Sequence, residues 1–160
     1  MKGPKLWFFA FILLWLAGGC QQSVANQFAI AGAAPDYLLV VIVTLSLVVN
    51  RRAGGVIGFL GGVIQGAIAG GHMATYAITR TILGFLIGWL TGLEFEGNIA
   101  VAFVVTAGAT CIAQVSFLLM SPRGAILPFL LATIGSAMYN GVLAMPLYAL
   151  LKKVSDSPRR

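Results

Sequence analysis

Charged residues are scarce in this sequence, and their scarcity sets its class. Lysine, arginine, aspartate and glutamate make up 9% of the 160 residues, and only 4 residues are acidic. A soluble domain carries about 25% charged residues, so this chain has too few to cover a water-exposed surface. With a hydrophobic content of 59%, the composition excludes an ordinary soluble domain. It predicts an all-α, polytopic membrane protein that forms a single integral membrane domain.

Residue types that carry metal or nucleophilic chemistry are also scarce. The chain has one histidine, His72, and two cysteines, Cys20 and Cys111, far apart in sequence. Two such cysteines do not make a disulfide framework, and one histidine cannot supply a zinc ligand set. No Ser/His/Asp or Cys/His set can be assembled, and the glycines follow no phosphate-loop pattern. We therefore predict no catalytic residue, no metal, no cofactor and no enzymatic activity.

The net charge of +6 does not indicate a nucleic-acid partner, because the basic residues flank apolar runs. The six transmembrane spans predicted below place both termini on one side of the membrane. Eight basic residues would then share that side: Lys2, Lys5, Arg51, Arg52, Lys152, Lys153, Arg159 and Arg160. The opposite side would carry Arg123 alone, and Arg80 would lie within the membrane. The positive-inside rule then makes both termini cytoplasmic.

Six apolar segments are predicted to be transmembrane helices. Their approximate bounds are 6–27, 36–50, 53–69, 74–91, 99–120 and 125–151. Residues 152–160 are expected to be a flexible, basic, cytoplasmic tail. The sequence leaves open whether residues 28–34 are helical.

The amino-terminal segment has two interpretations. A basic head, an apolar run over 6–17 and small residues before Cys20 are typical of a secretory signal, and Ala17-Gly18-Gly19-Cys20 hints at cleavage and lipidation. The alternative is a first transmembrane helix that is not cleaved. We favour the uncleaved helix, because Ala17 stands where a lipoprotein site usually has leucine and because more membrane segments follow.

Glycines recur at every fourth position in the third and fourth predicted helices. The first series is Gly54, Gly58, Gly62, Gly66 and Gly70; the second is Gly84, Gly88 and Gly92, in register with Tyr76 and Arg80. Interior glycine costs a soluble helix up to ~1 kcal/mol relative to alanine, whereas in a bilayer small residues at this spacing let helices approach closely. We expect these faces to pack helices three and four against their neighbours. A partner-binding surface is the alternative.

Polar residues inside the predicted spans are the candidate functional residues. We predict that Arg80 pairs with Asp36, the only carboxylate at the same membrane side; the alternative is that Arg80 extends to the headgroups. Gln65, Tyr139 and Asn140 complete the intramembrane polar set, for which hydrogen bonds between helices are the simplest role.

Several short motifs occur in order along the chain. They are APDYLL at 34–39, GFLGGVIQ at 58–65, TRTILGFLIG at 79–88, YN at 139–140, AMPLY at 144–148 and KK at 152–153. Their order and spacing resemble the rod shape-determining protein MreD family over most of the chain. One departure is Gly66, where many members of that family carry an aspartate after the glutamine.

The resemblance implies a non-catalytic component of the bacterial cell-elongation machinery (the elongasome) in the cytoplasmic, or inner, membrane. Such proteins bind MreC, and through it MreB, the RodA glycosyltransferase and a class B penicillin-binding protein, which organises peptidoglycan synthesis and cell shape. The family's fold is similar to the six-helix substrate-binding subunit of energy-coupling-factor vitamin transporters. Such a subunit is therefore the main alternative, since fold alone does not decide function.

Overall fold

The computed structural model describes residues 4–30, 32–91, 98–120 and 126–156, which form six helices. These are α1 (Pro4–Ser23), α2 (Tyr37–Ser46), α3 (Arg51–Ala69), α4 (Met73–Leu90), α5 (Ile99–Met120) and α6 (Ile126–Asp156). All except α2 are long and apolar enough to cross a membrane. The prediction of a helical, multi-pass membrane protein is therefore confirmed.

Successive helices run in opposite directions, so the bundle has two distinct ends. The start of α4 lies beside the end of α5, because the Thr75 hydroxyl donates to Met120 Sδ at 3.4 Å. The start of α5 lies beside the end of α6, because Asn98, Ile99, Tyr148 and Lys152 line one pocket. We call the end where α2 and α4 begin the polar end. The opposite end, where α3 begins with Arg51, is the basic end.

The central element is α2, which packs against all five other helices. Its residues are apolar on every side, as expected for a helix without a solvent or lipid face, and Leu38, Ile42 and Leu45 are 0% exposed. Its 10 residues extend ~15 Å, about half of a ~30 Å hydrocarbon core. The predicted span over 36–50 is therefore wrong in its helical extent: α2 is shorter than predicted and too short to cross the membrane by itself. The non-helical residues nearest to α2, Pro35 before it and Leu47 and Val49 after it, are buried in protein, where non-helical backbone is tolerated.

Two other predicted boundaries change, and the open question on residues 28–34 is answered for those that the structure describes. The first helix ends at Ser23 and not near residue 27, and turns follow it. Residues 28–30 and 32–34 are not helical: Ile30 and Ala33 exchange two backbone hydrogen bonds of 2.9 Å. The last helix continues to Asp156, so Lys152 and Lys153 are helical rather than part of a tail. Residues 157–160, like Gly92 and Arg123, lie outside the described residues.

Glycine contacts hold α3 and α4 at backbone distance. A Cβ placed on Gly62 would lie 2.6 Å from the Tyr76 carbonyl oxygen, and one on Gly66 would lie 2.6 Å from Met73 Cα. Gly54 and Gly84 face each other's carbonyl groups, and Gly58 faces that of Arg80. A side chain at these positions would have to push two backbones apart.

Two predicted packing glycines behave differently from one another. A Cβ on Gly88 would lie 2.9 Å from Arg51 Cα, so this glycine does meet the start of α3. Gly70 meets nothing within 4 Å, and the prediction that it packs a neighbouring helix is wrong. Its φ of 67° is left-handed and ends α3 at a C-cap, a conformation that glycine adopts without a steric penalty.

Candidate functional site

Arg80 lies on the buried face of α4 and is 3% exposed. Its Nη2 donates to Asp36 Oδ2 at 2.6 Å, and its Nε donates to Gln65 Oε1 at 2.9 Å. The predicted Asp36–Arg80 pair is therefore confirmed, and the alternative in which Arg80 extends to the headgroups is wrong. The guanidinium is held by a carboxylate and an amide that belong to two other parts of the chain.

Gln65 connects the two charged residues through both ends of its amide. Its Nε2 donates to Asp36 Oδ2 at 2.9 Å while its Oε1 accepts from Arg80. The glycine contacts explain this reach: Gly62 and Gly66 flank Gln65 on α3 and bring α3 against the α4 backbone. Close backbone packing is thus what lets a glutamine of α3 contact an arginine of α4 directly.

Asp36 is the N-cap of α2 as well as the partner of Arg80. Its Oδ1 accepts from the Leu39 backbone N–H at 2.9 Å, which satisfies one of the free donors of the first turn. Its own backbone N–H donates to Asn140 Oδ1 at 2.8 Å. A carboxylate here also interacts favourably with the positive end of the helix dipole. One side chain therefore both starts the central helix and neutralises the buried cation.

Asn140 extends the network to α5 and α6. It is 0% exposed, and its Nδ2 donates to Thr110 Oγ1 at 3.1 Å. Tyr139, its predicted companion, is partly exposed and takes no part in these bonds. The structure thus brings together Asp36, Gln65, Arg80 and Asn140 but leaves Tyr139 aside.

Two residues in or beside the network were not predicted from the sequence. Thr110 joins it from α5. Gln21 of α1 lies next to it and accepts the Tyr37 backbone N–H at 2.8 Å. Gln21 follows the apolar run as part of a short polar stretch, which is a usable signal. Thr110 had no such signal, since a threonine in an apolar helix usually bonds its own backbone.

A small cavity of about 210 Å³ lies beside this network. Its lining comprises Asp36, Leu39, Gln65, Tyr76, Arg80, Thr110, Ala113, Gln114 and Phe117. The Tyr76 and Phe117 rings are 4.4 Å apart, and the Arg80 guanidinium lies 5.9 Å from the Tyr76 ring centroid. His72 at the start of α4 meets Phe117 edge-on at 6.3 Å. The cavity can therefore offer hydrogen bonds, two opposite charges and aromatic faces.

The described residues offer little else for chemistry. Within the described ranges, no three His, Cys, Asp or Glu side chains come together as metal ligands. Cys20 and Cys111 are both free thiols, and Cys20 is exposed on α1. The polar network and its cavity are therefore the candidate functional site.

Comparisons with known proteins returned no match: no family model fits the chain, and no curated protein or solved structure is significantly similar to it.

Proposed function

We propose that this protein is a non-catalytic membrane component of the bacterial cell-elongation machinery, similar to MreD. In this role it binds MreC in the cytoplasmic membrane, and through MreC it is connected to MreB, RodA and a class B penicillin-binding protein. It helps to organise peptidoglycan synthesis without carrying out a reaction itself.

The observation that supports this proposal most is where the motif residues meet. The resemblance to MreD rests on motifs containing Asp36, Gln65, Arg80 and Asn140, which come from four separate segments of the chain. Hydrogen bonds of 2.6–3.1 Å join these four residues and Thr110 in one buried network. Motifs that are separate in sequence therefore form one structural unit, as expected if they define a common fold.

The form of that unit favours a structural role. Both oxygens of Asp36 accept hydrogen bonds, and both ends of the Gln65 and Asn140 amides are occupied. A network whose carboxylate and amide groups are all hydrogen-bonded rigidifies a core, whereas a general base or nucleophile needs a free, reactive group. A rigid bundle with apolar outer faces suits a membrane scaffold.

Orientation is part of the proposal. Arg51 and Arg52 begin α3, and Lys152 and Lys153 lie near the end of α6, so all four belong to the basic end. By the positive-inside rule this end faces the cytoplasm. Six membrane passes, with α2 as a short buried one, would place both termini there and the polar network near the outer leaflet.

The cavity favours one rival, a substrate-binding subunit of an energy-coupling-factor vitamin transporter. Its position at the polar end is where such a subunit would bind its ligand. Its volume of about 210 Å³ is below the ~300–1,000 Å³ that small-molecule sites usually have. Most vitamins need a larger site than this, which ranks this function second.

Affinity purification from the native membrane tests the proposal. The chain, tagged at its carboxyl terminus, is extracted in mild detergent beside an equally expressed, unrelated multi-pass protein. We expect MreC to co-purify with this chain alone, and depletion of the chain to turn rod-shaped cells round. Recovery of a coupling subunit with paired ATPases instead would contradict the proposal and support the transporter function.

A further inference from the structure

We propose that the cavity beside Arg80 is a binding site for a small zwitterion that carries one oxyanion and one ammonium group. The headgroup of an ethanolamine phospholipid and a free amino acid both have this chemistry. The inference is independent of the partner proposed above, because it rests on the cavity alone.

The first argument is an unused donor. Two of the three guanidinium nitrogens of Arg80 bond to Gln65 and Asp36, but Nη1 is buried and has no partner among the described residues. Arg80 is 3% exposed and lines the cavity. A buried charged donor without an acceptor is costly, and an oxyanion is the acceptor that guanidinium groups bind best. Arg80, which lines the cavity and lacks one acceptor, is therefore the group expected to bind the ligand's negative end.

The second argument is charge balance. The cavity lining contains one cation, Arg80, and one anion, Asp36, whose charged groups are 2.6 Å apart. A simple anion bound to Arg80 would also face the Asp36 carboxylate, and a simple cation would face the guanidinium. A ligand with no net charge avoids both repulsions if its two ends lie in opposite order to the protein pair.

The third argument is that the lining also suits an ammonium group. Asp36 Oδ1 accepts only the Leu39 N–H, so it retains capacity for another donor. Tyr76 and Phe117 also line the cavity, with their ring centroids 4.4 Å apart, and aromatic rings attract cations. Gln114 lines the cavity, is half-buried and bonds to no described residue, which leaves its amide for the ligand.

Size limits the ligand. A volume of about 210 Å³ equals that of about seven water molecules at ~30 Å³ each. An amino acid or a headgroup fits such a space, but an acyl chain does not. A lipid would therefore insert only its headgroup and leave its chains outside the bundle.

Thermal unfolding of the purified full chain in detergent tests the site. Glycerophosphoethanolamine and glycine serve as zwitterion probes, with inorganic phosphate and ethanolamine as single-charge controls. We expect at least one zwitterion to raise Tm saturably, while phosphate and ethanolamine at equal concentration do not. If phosphate raises Tm as much as the zwitterions do, the cavity is an anion site and the zwitterion proposal is wrong. No response to any probe, together with no retained lipid, would mean that only water satisfies Nη1.

Matched variants test whether the zwitterion that raises Tm binds in this cavity. Gln114→Leu should keep the Tm of the unliganded protein and weaken the zwitterion about tenfold, the loss of one good hydrogen bond. The exposed Gln22 of α1 lies outside the cavity, so Gln22→Leu should change nothing. If Gln114→Leu folds poorly, Phe117→Leu tests the ammonium side of the same cavity. If either cavity variant folds and binds the zwitterion with unchanged affinity, the proposed site is wrong.

Native mass spectrometry distinguishes the two sources of the zwitterion, a lipid headgroup and a free amino acid. Protein extracted from membranes that contain phosphatidylethanolamine and phosphatidylglycerol is examined for retained lipid. Retention of phosphatidylethanolamine by the wild type, and its loss in Gln114→Leu, identifies a lipid headgroup. Glycine binding without retained phosphatidylethanolamine identifies a soluble amino acid. Selective retention of phosphatidylglycerol, whose headgroup lacks the ammonium, would contradict the proposal.

Discussion

Arg80 and Asp36 are 44 positions apart in the chain, and their charged groups meet at 2.6 Å. The guanidinium is almost completely buried, whereas the carboxylate keeps 20% of its surface exposed. A pair in this environment is not a strong source of stability compared with well-packed apolar residues, but the loss of one partner is costly. The contribution of the pair to stability is therefore best measured by replacing each partner separately.

Asp36→Asn should destabilise the protein strongly, because it leaves the Arg80 charge buried and uncompensated. The expected loss is about 3 kcal/mol, at the lower end for buried pairs since Asp36 is partly exposed. Arg80→Gln should also destabilise it. The double variant should be more stable than the sum of both losses predicts, with a coupling energy of about 1–3 kcal/mol. Thermal unfolding in detergent measures all three, and additive losses would show that the pair is not energetically coupled.

Gly62→Leu should prevent α3 and α4 from packing. A Cβ at residue 62 would already lie 2.6 Å from the Tyr76 carbonyl oxygen, so both backbones would have to separate. Gly108→Leu on α5 is the matched control, since a Cβ there meets nothing within 4 Å. Folded yield by size-exclusion chromatography should fall several-fold for the first variant only. If Gly62→Leu stays folded but loses the proposed partner MreC in affinity purification, the glycine face is a partner surface.

Asn140→Leu should cost about 1–3 kcal/mol, because it leaves the Asp36 backbone N–H without its acceptor in a buried site. Tyr139→Phe, one position earlier, removes a hydroxyl from outside the network and should change Tm little. The comparison uses unfolding temperatures of the two purified variants. Similar losses in both would indicate that the α6 surface, rather than the network, carries the stability.

Cysteine labelling should establish which end faces the cytoplasm. Gly71 at the polar end and Lys153 at the basic end are both exposed. In a chain with Cys20→Ser and Cys111→Ala, a membrane-impermeant maleimide should label Gly71→Cys in intact cells. Lys153→Cys should react only after the cells are permeabilised. The reverse pattern would invert the proposed orientation.

Sequence patterns located most of the individual elements because lipid leaves few options for the backbone. Without water to satisfy N–H and C=O groups, long apolar runs must be helical, so the bounds of α3, α4 and α5 fell within two residues of the prediction. The second span is the exception. Its apolar run predicts a span over 36–50, but α2 ends at Ser46 and is packed against all five other helices.

Composition by itself determined a helical membrane protein, and the sequence predicted, without deciding, the close packing of the third and fourth helices and the pairing of Asp36 with Arg80. These followed from local properties: hydrophobicity, glycine spacing, and the cost of an isolated charge in a bilayer. Only the tertiary structure decided that Gln65 bridges the pair, that Asn140 and Thr110 complete it, and that a cavity lies beside it. Such contacts depend on how helices distant in sequence are rotated and set against each other, which the helical period of any one segment does not specify.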